Sequence, residues 1–182
     1  MALLSSDPTP LGTPCPDFDL PDPSGRRHGR DALAGPNGLV VAFICNHCPY
    51  VVAIADRLAA DLATLSGEGV GGVCIMSNDW TAYPADAPDR MPAFAAAHGL
   101  TAPYLIDERQ AVAAAFGAVC TPDLFGYGPD LRLAYRGRLD DAGRGDAAGR
   151  RPELVEAMRA AAGGRAVAPQ VPSMGCSIKW RA

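Results

Sequence analysis

Two cysteines separated by two residues, Cys45 and Cys48, have the type and spacing best suited to chemistry in this sequence. An apolar run over 39–44 leads directly into Cys45, and apolar residues at helical spacing begin after Pro49. The pattern therefore predicts that both thiols lie on a strand-to-helix turn, at the N-terminus of a helix. The free N–H donors and partial positive charge at such an end favour thiolate over thiol. A cysteine pKa of roughly 8.5 in a free peptide falls at such positions.

This arrangement predicts a redox-active dithiol. Two thiols on one helical turn can reach the short separation that a disulfide demands. Thiol–disulfide exchange needs an attacking thiolate and a nearby resolving thiol, and the spacing supplies both. His47 lies between the cysteines, and we expect this protonatable neighbour to lower the thiol pKa. A metal site and a structural disulfide are the alternatives for the pair.

Two further cysteines bear on these alternatives. Cys120 lies two residues before Pro122, where it is either a small buried hydrophobe or a neighbour of the dithiol. Cys176 lies in a C-terminal tail whose apolar residues could dock back on the protein, and it is a candidate third thiol. Together with Cys45 and Cys48, these two thiols could form a four-sulfur metal site.

Length, composition and charge set the broad class. The chain has 182 residues, 48% hydrophobic and 20% charged, which predicts one globular domain. The net charge of −4 gives no reason to expect nucleic acid or an anionic membrane surface as a partner. Residues 1–7 lack the features of a signal peptide, so we expect a cytoplasmic protein, in which a C-x-x-C is more often redox-active or metal-binding than structural.

The hydrophobic pattern predicts the elements that must position these thiols. A buried strand over 39–44, a helix after Pro49 and a second buried strand over 70–77 make a parallel βαβ unit. The further predictions are a lead-in over 1–16, a small hairpin near 17–28, a helix over 91–98, a strand over 103–106, a helix with Asp107 as its N-cap, a hairpin over 124–136, a helix over 152–162 and a tail over 163–182. The prediction is thus a single α/β domain, 1–182, with a central mixed sheet. Asp79 and Asp86, in the polar loop after the second strand, are interpreted as solvated surface residues.

The order of these elements resembles the thioredoxin-like fold in the form used by the redoxin, or AhpC/TSA, group. Several segments look like its peroxiredoxin-like "thioredoxin family protein" branch. They are 43–50, 77–79, 83–86, 103–105, 120–123, 135–141 and 175–180. The resemblance implies a thioredoxin-like fold with flanking helices, an N-terminal β-hairpin extension and a C-terminal tail.

The resemblance also implies roles for individual residues. Cys45 matches the attacking cysteine of a thiol–disulfide oxidoreductase, and Cys48 matches the resolving cysteine. Pro122 matches a cis-proline that faces the dithiol, and Thr121 would offer its backbone to an extended substrate. The implied substrate is a protein or small-molecule disulfide, or a peroxide, with a reductant that the sequence does not identify. No cofactor, nucleic acid or membrane is implied.

A thiol peroxidase is the alternative activity within this group. Peroxiredoxins carry the pattern P-x-x-x-T-x-x-C, in which the final cysteine is peroxidatic. Cys48 occupies that final position here, whereas Val41 replaces the proline and Cys45 replaces the threonine. The hypothesis therefore names Cys48 as the peroxidatic residue. No arginine near Thr121 matches the one that polarises peroxide in those enzymes.

Overall fold

The computed structural model describes residues 3–6 and 9–181. Its strands are β1 (Leu3–Ser5), β2 (Asp19–Pro21), β3 (Arg27–Gly29), β4 (Leu39–Phe43), β5 (Gly71–Met76), β6 (Tyr104–Ile106), β7 (Cys120–Thr121), β8 (Asp123–Tyr127), β9 (Leu133–Gly137) and β10 (Met174–Ser177). Its α-helices are α1 (Arg30–Leu33), α2 (Pro49–Val52), α3 (Ala55–Gly67), α4 (Met91–Ala97), α5 (Ala111–Phe116) and α6 (Glu153–Ala162), and 3-10 turns cover Pro84–Asp86 and Pro88–Arg90. No helix among the described residues is long and apolar enough to cross a membrane.

A five-stranded mixed sheet in the order β6-β5-β4-β8-β9 forms the centre of the fold. β4, β5 and β6 are parallel to one another, while β8 and β9 are antiparallel to their neighbours. Every residue of β4 is buried, because the strand is apolar on both faces and packs between two layers. Val40 and Ala42 join the core cluster formed with α3 and α6, and Val41 and Phe43 join the cluster formed with α5. The predicted α/β class with a mixed central sheet is confirmed.

The helix predicted after Pro49 is interrupted. α2 ends at Val52 and α3 begins at Ala55, and Ile54 donates its N–H to the carbonyl of Val51, 3.0 Å away. This bond spans three residues instead of four, so the chain tightens locally and then resumes as α3. α2 is therefore a single helical turn, and it positions the residues that follow Cys48.

The helix predicted to begin after Asp107 begins later than expected. α5 starts at Ala111, and Gln110 precedes it with a left-handed φ of 58°. Asp107 nevertheless satisfies the first turn, because its carboxylate accepts the N–H groups of Val112 and Ala113 at 3.3 and 2.8 Å. Asp107 is thus the predicted acceptor, but its donors lie later in the chain than the prediction placed them, because the helix starts later.

The two chain ends pair with each other, which the predicted lead-in and tail did not include. β10 lies between β1 and β7 in a three-stranded sheet, antiparallel to both. The predicted N-terminal hairpin is present as β2 and β3. Positions 1, 2, 7 and 8 of the predicted lead-in and position 182 of the predicted tail lie outside the described residues.

Candidate active site

Cys45 and Cys48 lie where the sequence predicted, on the turn between β4 and α2. Cys48 is the N-cap residue of α2, and Pro49 occupies the first helical position, where its missing N–H costs nothing. Both cysteines are free thiols in this structure. Their exposed fractions are 1% for Cys45 and 0% for Cys48, so the dithiol is almost completely covered.

The hydrogen bonds around Cys48 favour its thiolate. The thiol of Cys45 donates to the Cys48 sulfur, and backbone N–H groups of Cys176 and Val51 do the same. These bonds outweigh burial and lower the pKa of Cys48 to about 4. Cys48 Sγ also lies 3.1 Å from the carbonyl oxygen of Thr121, to which the protonated thiol donates. The Cys176 thiol is a further donor to Cys48, so ionisation gives up one bond in exchange for four.

Cys45 is affected in the opposite direction. Its hydrogen bond to Cys48, its burial and the negative charge of Asp86 raise its pKa well above the ordinary value. The hydroxyl of Thr121, whose Oγ1 lies 3.4 Å from Cys45 Sγ, opposes this rise. These directions favour the thiolate on Cys48, whereas the resemblance gives the attacking role to Cys45.

The Thr121–Pro122 peptide bond is cis and lies against the dithiol, as the resemblance implied. The backbone of Thr121 is not open to a substrate, however. It pairs with Cys176 of β10, and Ser177 pairs with Cys120 in the same ladder. The expectation that Thr121 offers free backbone groups is therefore wrong for this conformation, because the chain's own C-terminal strand covers them.

The two additional thiols differ in their contacts. Cys176, which is 6% exposed, is hydrogen-bonded to Cys48. The Cys120 thiol instead donates to the Pro122 carbonyl at 3.6 Å, and burial raises its pKa to about 12. The structure thus brings three thiols, Cys45, Cys48 and Cys176, into one hydrogen-bonded series with Cys48 in the middle.

The four-sulfur set considered as a metal site is not assembled in the described part of the chain. The ligand group found there comprises Cys45, His47 and Asp86, whose ligand atoms lie within 4.8 Å of one another. Both oxygens of Asp86 are already engaged by protein groups, so a metal ion would have to displace them. This cluster is a hydrogen-bonded support for the turn.

Asp86 is the site residue that sequence reasoning missed, since it was interpreted as solvated surface. It is fully buried, and its Oδ1 accepts the N–H groups of Asn46 and His47 at 2.8 and 3.3 Å. Its Oδ2 accepts from Asn78 Nδ2 at 2.8 Å. Asp86 thereby fixes the two residues between the cysteines. Its place in the family-like segment 83–86 was the available signal.

His47 acts on this carboxylate instead of on the thiols. Its Nδ1 lies 2.7 Å from Asp86 Oδ2, an ion-pair contact whose angle does not suit a hydrogen bond. Its ring is stacked on Tyr83 with a centroid separation of 5.8 Å. The main causes that lower the pKa of Cys48 are hydrogen bonds from Cys45, Cys176 and Val51, and the effect expected of His47 stays a prediction.

The C-terminal tail is anchored to the same network. Asn78 Oδ1 accepts the backbone N–H of Lys179 at 2.9 Å, and the carbonyl of Lys179 accepts from Gln110 Nε2 at 2.7 Å and from the N–H of Asp79 at 2.8 Å. Through Asn78, the tail that follows Cys176 and the turn that contains Cys45 share one hydrogen-bonded support. Of the apolar residues that could dock the tail, Ile178 is buried, whereas Trp180 is 47% exposed.

A pocket of about 290 Å³ lies beside the cis-proline. It is lined mainly by apolar residues and by two arginines, and the lining includes Tyr50, Ile54, Pro122, Met174, Arg138 and Arg144. Neither Cys45 nor Cys48 belongs to its lining. Pro122 and Met174, at the start of β10, form part of the wall of this pocket.

Comparison with known proteins gives a family and a fold. The model of the AhpC/TSA family matches residues 11–136. A hypothetical protein from Sinorhizobium meliloti 1021 is 42% identical, with 98% of each chain covered and a TM-score of 0.91. An uncharacterized conserved protein from Geobacillus kaustophilus is 38% identical, with 100% of this chain and 97% of that chain covered and a TM-score of 0.94.

More distant structures share the fold alone. A thiol:disulfide interchange protein of the thioredoxin family from Chlorobium tepidum TLS is 14% identical, and the match covers 85% of this chain and 99% of that chain with a TM-score of 0.63. The predicted thioredoxin-like fold is thereby confirmed. A search of curated proteins gave no match.

Proposed function

The chain belongs to the AhpC/TSA family, and on that premise we propose that it is a thiol–disulfide oxidoreductase whose reactive dithiol is Cys45 and Cys48. The observation that carries the proposal is the set of donors around Cys48. A buried sulfur that accepts two backbone N–H groups and two neighbouring thiols is stabilised as a thiolate, the form that attacks disulfides.

The reaction proceeds in two exchange steps. The Cys48 thiolate attacks one sulfur of a substrate disulfide, a mixed disulfide forms, and the other substrate sulfur leaves with the electron pair. The Cys45 thiol then gives up its proton and attacks Cys48 Sγ. The Cys45–Cys48 disulfide forms, the bond to the substrate breaks, and the second substrate sulfur leaves as a thiol. The two electrons that reduce the substrate come from the dithiol, and a separate reductant restores it.

The covering of the site favours a small substrate. With 1% and 0% of the two cysteines exposed, a folded protein cannot reach either sulfur in this conformation, whereas a low-molecular-weight disulfide or a peroxide needs only a small opening. We further propose that residues 1–182 act as one domain and that His47, Asp86 and Thr121 support the dithiol.

Trapping the mixed disulfide tests the assignment of the two cysteines. We expect Cys45→Ser/Cys176→Ser protein to react with a small aromatic disulfide and to retain half of it on Cys48, because neither neighbouring thiol is present to displace it. We expect Cys48→Ser protein to react slowly, since it lacks the stabilised thiolate. Mass spectrometry of alkylated peptides identifies the modified residue. The assignment would be contradicted if Cys48→Ser protein reacted as fast as wild type and carried half of the aromatic disulfide on Cys45.

Thiol peroxidase is the second candidate, and the position of the negative charge favours it. The thiolate resides on Cys48, the residue at the peroxidatic position of the peroxiredoxin pattern. Arg136 lies on β9, the neighbour of the strand that begins at Asp123. Its Nη2 donates to the Asp123 carboxylate at 2.8 Å and to the Gly117 carbonyl. It donates to neither sulfur, so peroxide would lack the arginine of that enzyme class.

Peroxide consumption separates the two candidates. A peroxidase would consume hydrogen peroxide with a dithiol reductant, and Cys48→Ser would abolish the activity while Cys45→Ser would leave the first turnover intact. Peroxide consumption that persists in Cys48→Ser protein would eliminate this second candidate. If wild type consumed no peroxide and Cys48→Ser protein lost disulfide exchange, the thiol–disulfide oxidoreductase would be supported and the peroxidase would not.

A further inference from the structure

β10 occupies the backbone edge at which an extended substrate was expected to bind. Cys176 lies opposite Thr121 in an antiparallel ladder, and Ser177 lies opposite Cys120. The approach is close, because a Cβ atom added at Gly175 would lie 2.0 Å from the carbonyl oxygen of Thr121. Only glycine permits this packing at that position. The chain thus supplies its own extended segment beside the cis-proline.

This segment also brings a cysteine to the reactive sulfur. Cys176 pairs with Thr121, whose carbonyl oxygen lies 3.1 Å from Cys48 Sγ. The thiol and the backbone N–H of Cys176 both interact with Cys48 and lower its pKa. Cys45 contacts Cys48 from the turn, and Cys176 contacts it from β10. Cys48 therefore has a thiol partner on two different elements, of which only one belongs to the C-x-x-C motif.

We propose that Cys176 is a third redox thiol, which exchanges with the Cys45–Cys48 disulfide to form a Cys48–Cys176 disulfide. This inference rests on the proposed function, because the dithiol must first become oxidised. The Cys176 thiolate attacks Cys48 Sγ, so the Cys48–Cys176 bond forms and the Cys45–Cys48 bond breaks. The bonding electron pair leaves on Cys45, which takes up the proton that Cys176 released. One disulfide is replaced by another, and no further oxidant is needed.

The charge on Cys48 makes this exchange dependent on the redox state. While Cys48 is a thiolate, burial and the hydrogen bond and charge of Cys48 raise the pKa of Cys176 to about 11, against the opposing charge of Lys179. Oxidation removes the charge from Cys48, so one of the causes that keep Cys176 protonated disappears. Cys176 is thereby inert beside the reduced dithiol and becomes a better nucleophile once the dithiol is oxidised.

The product would tie two elements together. A Cys48–Cys176 disulfide joins the N-terminus of α2 to β10 and returns Cys45 to the thiol form. β10 would then be covalently fixed across Thr121, whereas in the reduced protein it is held there by non-covalent contacts, which include the β-ladders and the anchors of Lys179. The enzyme would then remain oxidised, as the Cys48–Cys176 disulfide, while β10 continues to cover the backbone of Thr121.

Disulfide mapping after oxidation with diamide tests the proposal. Wild-type protein should yield both Cys45–Cys48 and Cys48–Cys176 linked peptides in its monomer fraction. Cys45→Ser protein should form the Cys48–Cys176 link alone, so that its five thiols fall to three. The Cys45→Ser/Cys120→Ser double variant is the matched control for a nearby thiol, and it should form the same link. Cys45→Ser/Cys176→Ser protein should lose no thiol in its monomer fraction.

The outcomes separate this inference from the proposed function. If wild-type and Cys176→Ser proteins form Cys45–Cys48 but neither wild type nor folded Cys45→Ser protein forms Cys48–Cys176, the third thiol is refuted and the dithiol function stands. If neither wild-type nor Cys176→Ser protein forms a Cys45–Cys48 disulfide, the proposed function itself fails. Far-UV circular dichroism establishes that each variant is folded, and the wild-type peptide map decides the question even where a variant is not.

Discussion

The N-terminus of α2 and the middle of β5 each hold a fully buried thiol, and the pKa values of the two thiols are shifted in opposite directions. Cys48 and Cys74 are both 0% exposed. Burial raises the pKa of Cys74 to about 12. Burial acts on Cys48 in the same sense, but the bonds from Cys45, Cys176 and Val51 lower its pKa to about 4. Hydrogen-bond donors, and not burial, therefore decide which of these cysteines is reactive.

The backbone explains where those donors come from. Within β5 the amides are used in the ladders with β4 and β6, and the N–H of Cys74 itself is bonded to the Pro103 carbonyl at 2.9 Å. At the start of a helix the first N–H groups have no partner within the helix, so they are available to a side chain. Val51 donates one of these to Cys48. A strand interior offers no such donor.

Removing each thiol in turn gives the largest test of this contrast. We expect Cys48→Ser to lower the rate of alkylation of the reduced protein at about pH 6 by on the order of 100-fold. An ordinary thiol is ionised to well below 1% at that pH, and the lower nucleophilicity of a stabilised thiolate offsets part of the gain. Cys74→Ser is the matched buried control, and its rate should stay within about twofold of wild type. Stopped-flow measurements with a small alkylating reagent give both rates, and similar rates for the two variants would refute the contrast.

Asp86 supports the turn that contains the dithiol, so its removal should lower the free energy of unfolding. We expect Asp86→Ala to lower the free energy of unfolding by about 3 kcal/mol, because it leaves the buried donors of Asn46, His47 and Asn78 without an acceptor. Asp89→Ala removes an exposed carboxylate from the same loop and should change the free energy by less than about 0.5 kcal/mol. Urea unfolding of the reduced proteins measures both. Equal stabilities of the two variants would show that Asp86 does not hold the turn.

The contrast also marks what the sequence could predict. The strand over 39–44, the turn that holds Cys48 and the cis bond before Pro122 follow from local pattern and resemblance, because each depends on residues close together in the chain. The position of β10 depends on pairing with β1 and β7, which no local pattern encodes. The burial of Asp86 likewise depends on the turn that it contacts 39 and 40 residues away. Long-range partners are the part that the sequence did not reveal.

Stability against pH tests the charge on Cys48 independently of reactivity. Its pKa is about 4 in the folded protein against an ordinary value of 9.0, so the unfolded chain binds more protons between these values. The thiolate's contribution is therefore full above pH 9.0 and is lost as the pH falls through 4. The stability difference between wild type and Cys48→Ser should grow from about pH 6 to about pH 8, by at most about 1.4 kcal/mol per pH unit.

Cys74→Ser is the control for this pH dependence, because the pKa of Cys74 is shifted in the opposite direction to that of Cys48. Because the pKa of Cys74 is raised, its thiol contributes stability that is present below pH 9.0 and is lost only above that value. The difference between wild type and Cys74→Ser should therefore be flat from about pH 6 to about pH 8. Urea unfolding at both pH values measures the two differences, and equal slopes for the two variants would mean that Cys48 is not charged in the reduced fold.

The smallest expected effect comes from the hydroxyl of Thr121, a single hydrogen-bonding group beside Cys45. The hydroxyl of Thr121, 3.4 Å from Cys45 Sγ, lowers the pKa of Cys45 against four causes that raise it. Thr121→Val replaces this hydroxyl with a methyl group of similar shape, so Cys45 should resolve a mixed disulfide about 2- to 5-fold more slowly. Thr121→Ser keeps the hydroxyl and should resolve it at the wild-type rate. Single-turnover reactions with a small aromatic disulfide separate formation of the mixed disulfide, which depends on Cys48, from its resolution. If Thr121→Val slowed formation and left resolution unchanged, the hydroxyl would act on Cys48, and Cys45 would be governed by burial in the way that Cys74 is.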